Sequence, residues 1–225
     1  MRLYTDWYKV TLPLNRLLDY CNINPRVHLH NGMQFVVRIF SDDLNIIAEV
    51  VGRDSYGIED LALRDDALVV DVGANVGVFS AWIKHLHPNA HLVAYEPHPA
   101  NLLLLQENAP FATIHAEAVV GTEGEVHIEA EGHTSALKLA KVGVAVRAIT
   151  LEQALAPLLK VDLLKVDIEG SEYDVFMHTP PSAMQKVQQA VVEVHHDDWR
   201  EWFENYFKTC GFAVHWSEDL LVAKR

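Results

Sequence analysis

Val69-Val70-Asp71-Val72-Gly73-Ala74-Asn75-Val76-Gly77 is an apolar run that turns through two glycines just before Phe79, Trp82, Ile83 and Leu86. Those four recur at the i, i+3, i+4 and i+7 spacing of one helix face, so the pattern predicts a buried strand over 67–71, a tight turn, and a helix that Pro88 ends. In open α/β sheets such a turn is where ligands bind, because the free N–H groups of the helix N-terminus point out of the sheet edge. Glycine is needed where a ligand nears the main chain or φ is positive, which gives Gly73 and Gly77 a physical reason to lack side chains. The same turn also forms with no ligand, so a second signal is required.

Glu96 supplies it, at the end of the next predicted strand, 91–95. An acid there lies beside the glycine turn and can accept hydrogen bonds from the vicinal hydroxyls of a ribose, so the two signals together point to a nucleoside cofactor. A dinucleotide site wants G-x-G-x-x-G, but Asn75 and Val78 stand at its second and third glycine positions, which disfavours NAD. Asp71 can orient the turn or meet the ammonium group of an amino-acid moiety. S-adenosylmethionine has that moiety, and its sulfonium suits an acidic pocket.

Working outward, apolar runs alternate with helical patterns from residue 67 onward, predicting a mostly parallel sheet. Expected are a helix carrying Leu102, Leu103 and Leu105, a strand over 113–119, an inserted strand pair at 125–130 and 143–149, and a helix over 151–159 opened by a Thr150/Gln153 capping box. Then follow a strand over 161–167, a helix near 173–177, a strand over 190–195, a helix near 199–209 and a closing hairpin, 212–216 with 220–223. Upstream, Asn31-Gly32 tolerates positive φ at both turn positions and joins 26–30 to 33–38 as a hairpin. Residues 42–51 are a helix with Leu44, Ile47 and Val51 on its apolar face. The division expected is a small cap over 1–66 and a main domain over 67–225, together one compact unit.

Composition narrows the function. The chain has 225 residues, 50% hydrophobic and 22% charged, with 31 acids against 18 Lys and Arg, a net charge of −13. This is a globular composition, and its sign argues against capture of a nucleic-acid backbone. Cys21 and Cys210 cannot make a metal quartet and have no disulfide-like spacing, and charges interrupt the first 20 residues, so neither a signal peptide nor a membrane span is expected. A cytoplasmic location is the expectation; oligomeric state is not readable.

Asp-Val-Gly-Ala-Asn-Val-Gly at 71–77, Tyr-Glu-Pro-His-Pro-Ala-Asn at 95–101, Leu-Lys-Val-Asp-Ile-Glu-Gly-Ser-Glu at 164–172 and Val-Glu-Val-His at 192–195 occur in that order. The set resembles the FkbM family of S-adenosylmethionine-dependent methyltransferases over about 42–196. The resemblance implies a Rossmann-like class I methyltransferase fold with a C-terminal antiparallel hairpin, and O-methylation of a sugar, glycan or natural product, leaving S-adenosylhomocysteine. It also implies that Asp71, Gly73, Asn75 and Gly77 surround the methionine part, that Glu96 holds the ribose, and that Pro97, Glu117 and Ala118 lie near the adenine.

A hydroxyl is a poor nucleophile near neutral pH and needs a base or a metal. Asp167, Glu169, Glu193 and His195 are the catalytic candidates, with His195 first because imidazole titrates near working pH. A secondary version has Asp167 with Glu193 or Asp197 holding a divalent cation; no metal ligand is assigned. The aromatic stretch Trp199, Trp202, Phe203, Tyr206 and Phe207 reads as core before it reads as an acceptor pocket. The competing functions are an NAD-dependent oxidoreductase and a non-catalytic S-adenosylmethionine-binding protein.

Overall fold

The computed structural model describes residues 24–38, 41–128 and 143–225. Its first half runs β1 (Arg26–His28), β2 (Gln34–Val36), α1 (Asp43–Val50), β3 (Leu68–Val72), α2 (Val78–Leu86), β4 (His91–Tyr95), α3 (Pro99–Asn108) and β5 (Thr113–His115). The second continues β6 (Ala118–Val119), β7 (Gly124–Ile128), β8 (Val144–Ile149), α4 (Leu151–Leu155), β9 (Leu163–Val166), α5 (Glu172–Met177), β10 (Gln189–Glu193), α6 (Arg200–Thr209), β11 (Ala213–Ser217) and β12 (Leu220–Lys224).

Seven strands make the central sheet in the order β11-β12-β10-β9-β3-β4-β5. The five from β10 to β5 are parallel, and β12 and β11 complete the other edge antiparallel, as the sequence pattern anticipates. Alternation along each central strand divides two apolar layers. Val70, Leu164 and Val192 face a layer containing Phe176, Phe203 and Phe207. Val69, Leu163 and Val191 face α2 through Val78, Phe79 and Ile83, in the same layer as Phe35, Ile47, Tyr56 and Ile58 from the N-terminal part. The buried amides of Asn101, which accepts from Arg38 Nη1 at 2.9 Å, and Asn108 add polar ties between those parts. Asn108 accepts from Val36 N at 2.7 Å and donates to Val36 O at 3.0 Å and Val76 O at 2.8 Å.

Several expectations shift. The hairpin closes through Gly32 alone at φ +89, with Gly32 N on Leu29 O and Leu29 N on Met33 O, a three-residue turn rather than a two-residue one. In α1 the inward face is Asp43, Ile47 and Val50, leaving Leu44 at the surface, because Asp43 is drawn in by an ion pair with buried Arg38 at 2.7 Å. Leu103 likewise faces solvent while Leu104 and Leu105 are buried.

The strand expected over 113–119 is two strands. β5 runs out of partner where β4 ends at Tyr95, and the chain moves across to pair β6 with β8 in a separate three-stranded sheet with β7. The capping box at Thr150 and Gln153 is present, but α4 stops at Leu155 because Pro157 has no N–H to continue it. The aromatic residues of α6 pack into the core with Phe203 and Phe207 fully buried. Cys210 is a buried free thiol, and Cys21 lies outside the described residues, as does the whole 20-residue segment read for a signal peptide. Among the described residues no helix is long and apolar enough to cross a membrane.

Candidate active site

The chain steps from β3 to β4 and β5 on one side, then crosses to β9 and β10 on the other, opening a crevice between the ends of β3 and β9. Asp167 N donates to Val72 O at 3.1 Å, pressing the turn after β9 against the glycine turn after β3. At Gly73, with φ +79, a Cβ would lie 1.8 Å from Asp167 O, so this crossing dictates the glycine. Gly77 opens α2 at φ +88, and a Cβ there would come 2.9 Å from Leu105 Cδ1. Its requirement comes first from that positive φ and then from packing against α3, and it lines neither of the two cavities at the crevice.

Glu96 ends one cavity, a narrow slot that also presents Tyr95, Pro97, Glu117, Ala118 and Ile168. The residues expected around ribose and adenine thus come together. Glu96 is 2% exposed and accepts from Asn75 N at 2.9 Å, His98 N at 2.8 Å and Asn101 Nδ2 at 3.3 Å. A carboxylate offers about four acceptor directions, so roughly one remains for a ribose hydroxyl rather than the pair expected. Burial pushes the Glu96 carboxyl up to about 7, and its three donors oppose the rise. Asn75 lines both cavities at φ +50, and its Oδ1 is buried without a partner, an acceptor left for a ligand donor.

The larger cavity, about 590 Å³, is of ordinary small-molecule size. Gly73, Asn75, Asp167 and Glu169 line both spaces, and Glu193, Tyr56 and Lys165 line the larger one. Buried Lys165 donates to Gly73 O at 2.7 Å and pairs with Asp71 at 3.3 Å and Asp167 at 3.4 Å. Burial works against its charge, but Asp167, Asp71 and Glu193 outweigh it and hold the ammonium above its ordinary value. Asp71 is fully buried under the turn, bonded to Ser80 Oγ at 2.8 Å, and lines neither cavity. The observed geometry therefore matches the turn-orienting reading of Asp71.

His195, the first expectation for the base, stands between carboxylates. Its Nε2 is 3.3 Å from Glu169, and its Nδ1 is 3.1 Å from fully buried Glu172. Those two hydrogen-bonded carboxylates push the imidazole up to about 11, so it is a fixed cation at neutral pH and a poor proton acceptor. Glu193 is raised as well. Burial, then repulsion from Asp167, push it up to about 7 against the pull of His195, Lys165 and Tyr56.

Asp167, Glu193 and His195 offer atoms within 4.8 Å of one another, a spacing a cation could span. Those donors are already committed, the imidazole to a proton held by Glu169 and Glu172, the carboxylates to Tyr56 and Lys165, and Asp197 is not in the group. The set reads as a proton network centred on an imidazolium. Tyr56, Lys165 and Glu172 are not among the catalytic candidates read from the sequence, because their surroundings depend on neighbours distant in the chain.

A family model described as the methyltransferase FkbM domain matches residues 71–214. The chain belongs to the FkbM methyltransferase family. Among curated relatives, Methyltransferase 1 of Beauveria bassiana is 28% identical over 162 residues, covering 58% of this chain and 65% of that protein. The AMB antimetabolite synthetase AmbE of Pseudomonas aeruginosa is 27% identical over 238 residues, covering 84% of this chain. The chain thus spans about two thirds of the first relative and 10% of the second. A solved FkbM methyltransferase from Methylobacillus flagellatus superposes with a TM-score of 0.53 at 16% identity, covering 73% of this chain and 45% of that one. The fold is that of class I methyltransferases. Tyr56 precedes the FkbM-matched stretch, yet its hydroxyl reaches the centre of the crevice.

Proposed function

We propose that this chain transfers a methyl group from S-adenosylmethionine to a hydroxyl oxygen of a small polar acceptor, a sugar, a glycan or a natural product. The observation that carries the reading is that Gly73, Asn75, Asp167 and Glu169 line both cavities, so one ligand in the slot reaches the larger space where Glu193 waits. When bound, the cofactor supplies an electrophilic methyl group, and its methyl–sulfur bonding pair returns to sulfur as the oxygen–carbon bond forms. Glu96 and Asn75 hold the nucleoside end, and Glu193 takes the proton that the acceptor hydroxyl loses. Asp167 and Glu169 face the sulfonium as counter-charges, while His195 and Lys165, both cationic, keep the acids from repelling one another apart. The N-terminal part lines one side of the larger cavity, and we read its described residues from 24 to 66 as a cap on the main domain, residues 1–23 of that expectation lying outside the described residues. With a net charge of −13, nucleic acid is a poor candidate for the acceptor.

Calorimetric titration with S-adenosylhomocysteine and separately with NADH tests the cofactor. Binding of the first alone is expected; preference for NADH would overturn the reading. Methyl transfer from labelled S-adenosylmethionine across a panel of hydroxylated acceptors then tests the reaction, and binding without transfer to any acceptor would favour a non-catalytic role.

The affinity for S-adenosylhomocysteine is expected to rise with pH through about 7, the value at which Glu96 ionises. Only the ionised carboxylate is a full acceptor for ribose, so below that value binding must first expel a proton and weakens up to about tenfold per pH unit. Titrations from pH 5.5 to 8.5 in buffers of differing ionisation enthalpy read both the affinity and the proton released. An affinity flat across that range would remove Glu96 as the ribose acceptor.

A further inference from the structure

Tyr56 is 6% exposed, its ring edge-on to Phe79 at 5.3 Å between centroids and 5.6 Å from Lys165 Nζ. Neither contact needs a hydroxyl, since phenylalanine would fill the same space. The hydroxyl nevertheless sits 2.7 Å from Asp167 Oδ2 and 3.2 Å from Glu193 Oε2, bridging the ends of two neighbouring strands. Those carboxylates repel one another when both are ionised. A phenol carries one hydrogen, and between two charged carboxylates both can share it, which offsets their repulsion and stabilises the charged pair. Burial, then Asp167 and Glu193, hold the phenol well above its ordinary value, so that hydrogen stays in place.

We propose that Tyr56 is a positioning residue for the transfer site, holding Asp167 and Glu193 as a pair and favouring the ionised, proton-accepting form of Glu193. The inference deepens the reading of Glu193 as base and rests on it. The groups beside Glu193 are Asp167 and Lys165 from the β9 side, His195 beyond its own strand and Tyr56 from the N-terminal part, and Glu49, Arg53, Asp54, Glu169 and Glu218 line the same cavity. Of these only Tyr56 combines a fixed hydrogen, a direct bond to both acids and a place outside the family-matched stretch. The N-terminal part is thereby a contributor to the site's chemistry as well as a wall.

The test needs no acceptor. Glutamate carboxyl carbons are labelled with ¹³C, the Glu193 resonance is assigned by its loss in Glu193→Gln, and its titration is followed in Tyr56→Phe and the parent chain, without cofactor and with EDTA present. The midpoint is expected near 7 in the parent. In the variant it is expected about one pH unit higher, with the melting temperature within about 3 °C of the parent. A merely structural tyrosine would not move that midpoint. An unmoved or lowered midpoint overturns the proposal, and so does a shift accompanied by a collapse in melting temperature, which would mark general disruption. Failure of the parent to bind S-adenosylhomocysteine would strike the methyltransferase reading instead, and leaves this titration readable.

Discussion

Glu96→Ala is expected to weaken S-adenosylhomocysteine binding by about 100-fold. One charge-assisted bond to a ribose hydroxyl is worth roughly 1.5 to 3 kcal/mol, and about 2.7 kcal/mol corresponds to that ratio. The remainder comes from the site itself, because the carboxylate also fixes Asn75 N, His98 N and the Asn101 amide, and Asn75 lines both cavities. Glu96→Gln keeps one acceptor oxygen and the side-chain volume but no charge, and a loss of about tenfold is expected. Calorimetry on the three proteins gives the ordering. Alanine and glutamine variants binding as tightly as the parent would mean that the ribose sits elsewhere.

Glu172→Ala is expected to cost roughly 3 to 5 kcal/mol of folding stability, a fall of about 10 °C in melting temperature for a chain of this size. Glu172 is fully buried and accepts from Ile168 N at 3.0 Å, Gly170 N at 3.1 Å and His195 Nδ1 at 3.1 Å. It therefore pins a turn in which Glu169 at φ +57 and Gly170 at φ +100 both occupy the left-handed region, one of them a residue that pays for it. Removing it leaves two amides bare and His195 with one fewer counter-charge. The pH dependence carries the same signature. His195 is raised in the fold from 6.5 to about 11, so its stabilisation is complete below 6.5 and is lost as pH rises through about 11. Thermal melts of parent and variant from pH 6 to 10 are expected to converge on the alkaline side. A variant melting within about 3 °C of the parent would show that the turn is held by other means.

Much of the fold was legible because its period was strong. The run 67–71 and the i, i+3, i+4, i+7 set after it placed the first strand and helix within one residue, and 91–95 was found at its observed bounds. Edges were lost where tertiary pairing overrode local pattern. The run 113–119 looks like one strand, but it breaks because pairing with β4 ends at Tyr95 and His115, where Glu96 N makes the last bond to His115 O. Leu44 and Leu103 fit a helical stripe, yet burial of Asp43 and of Leu104 turned those helices by one position.

In the site, the named residues come together as a group because they end neighbouring strands. Their roles were not readable, because a role depends on what surrounds the group. His195 reads as a base from its ordinary titration and becomes a cation only when Glu169 and Glu172, remote from it in the chain, close on both ring nitrogens. Glu193 gains the opposite character from burial beside Asp167. Tyr56 carries no motif at all, and its hydroxyl is informative only once two strand ends are known to meet beneath it.

The placement of β12 between β10 and β11 bears on how the chain is made. Synthesis delivers β11 before the strand that joins it to the sheet, so it has no partner until Leu220–Lys224 leave the ribosome. Until then the exposed edge of β10 is a free template at the border of the crevice, open to pairing with another nascent chain. The sheet is therefore completed by the strand next to its edge, and a stop before residue 220 would release a molecule with the strands of its crevice present and an adhesive flank.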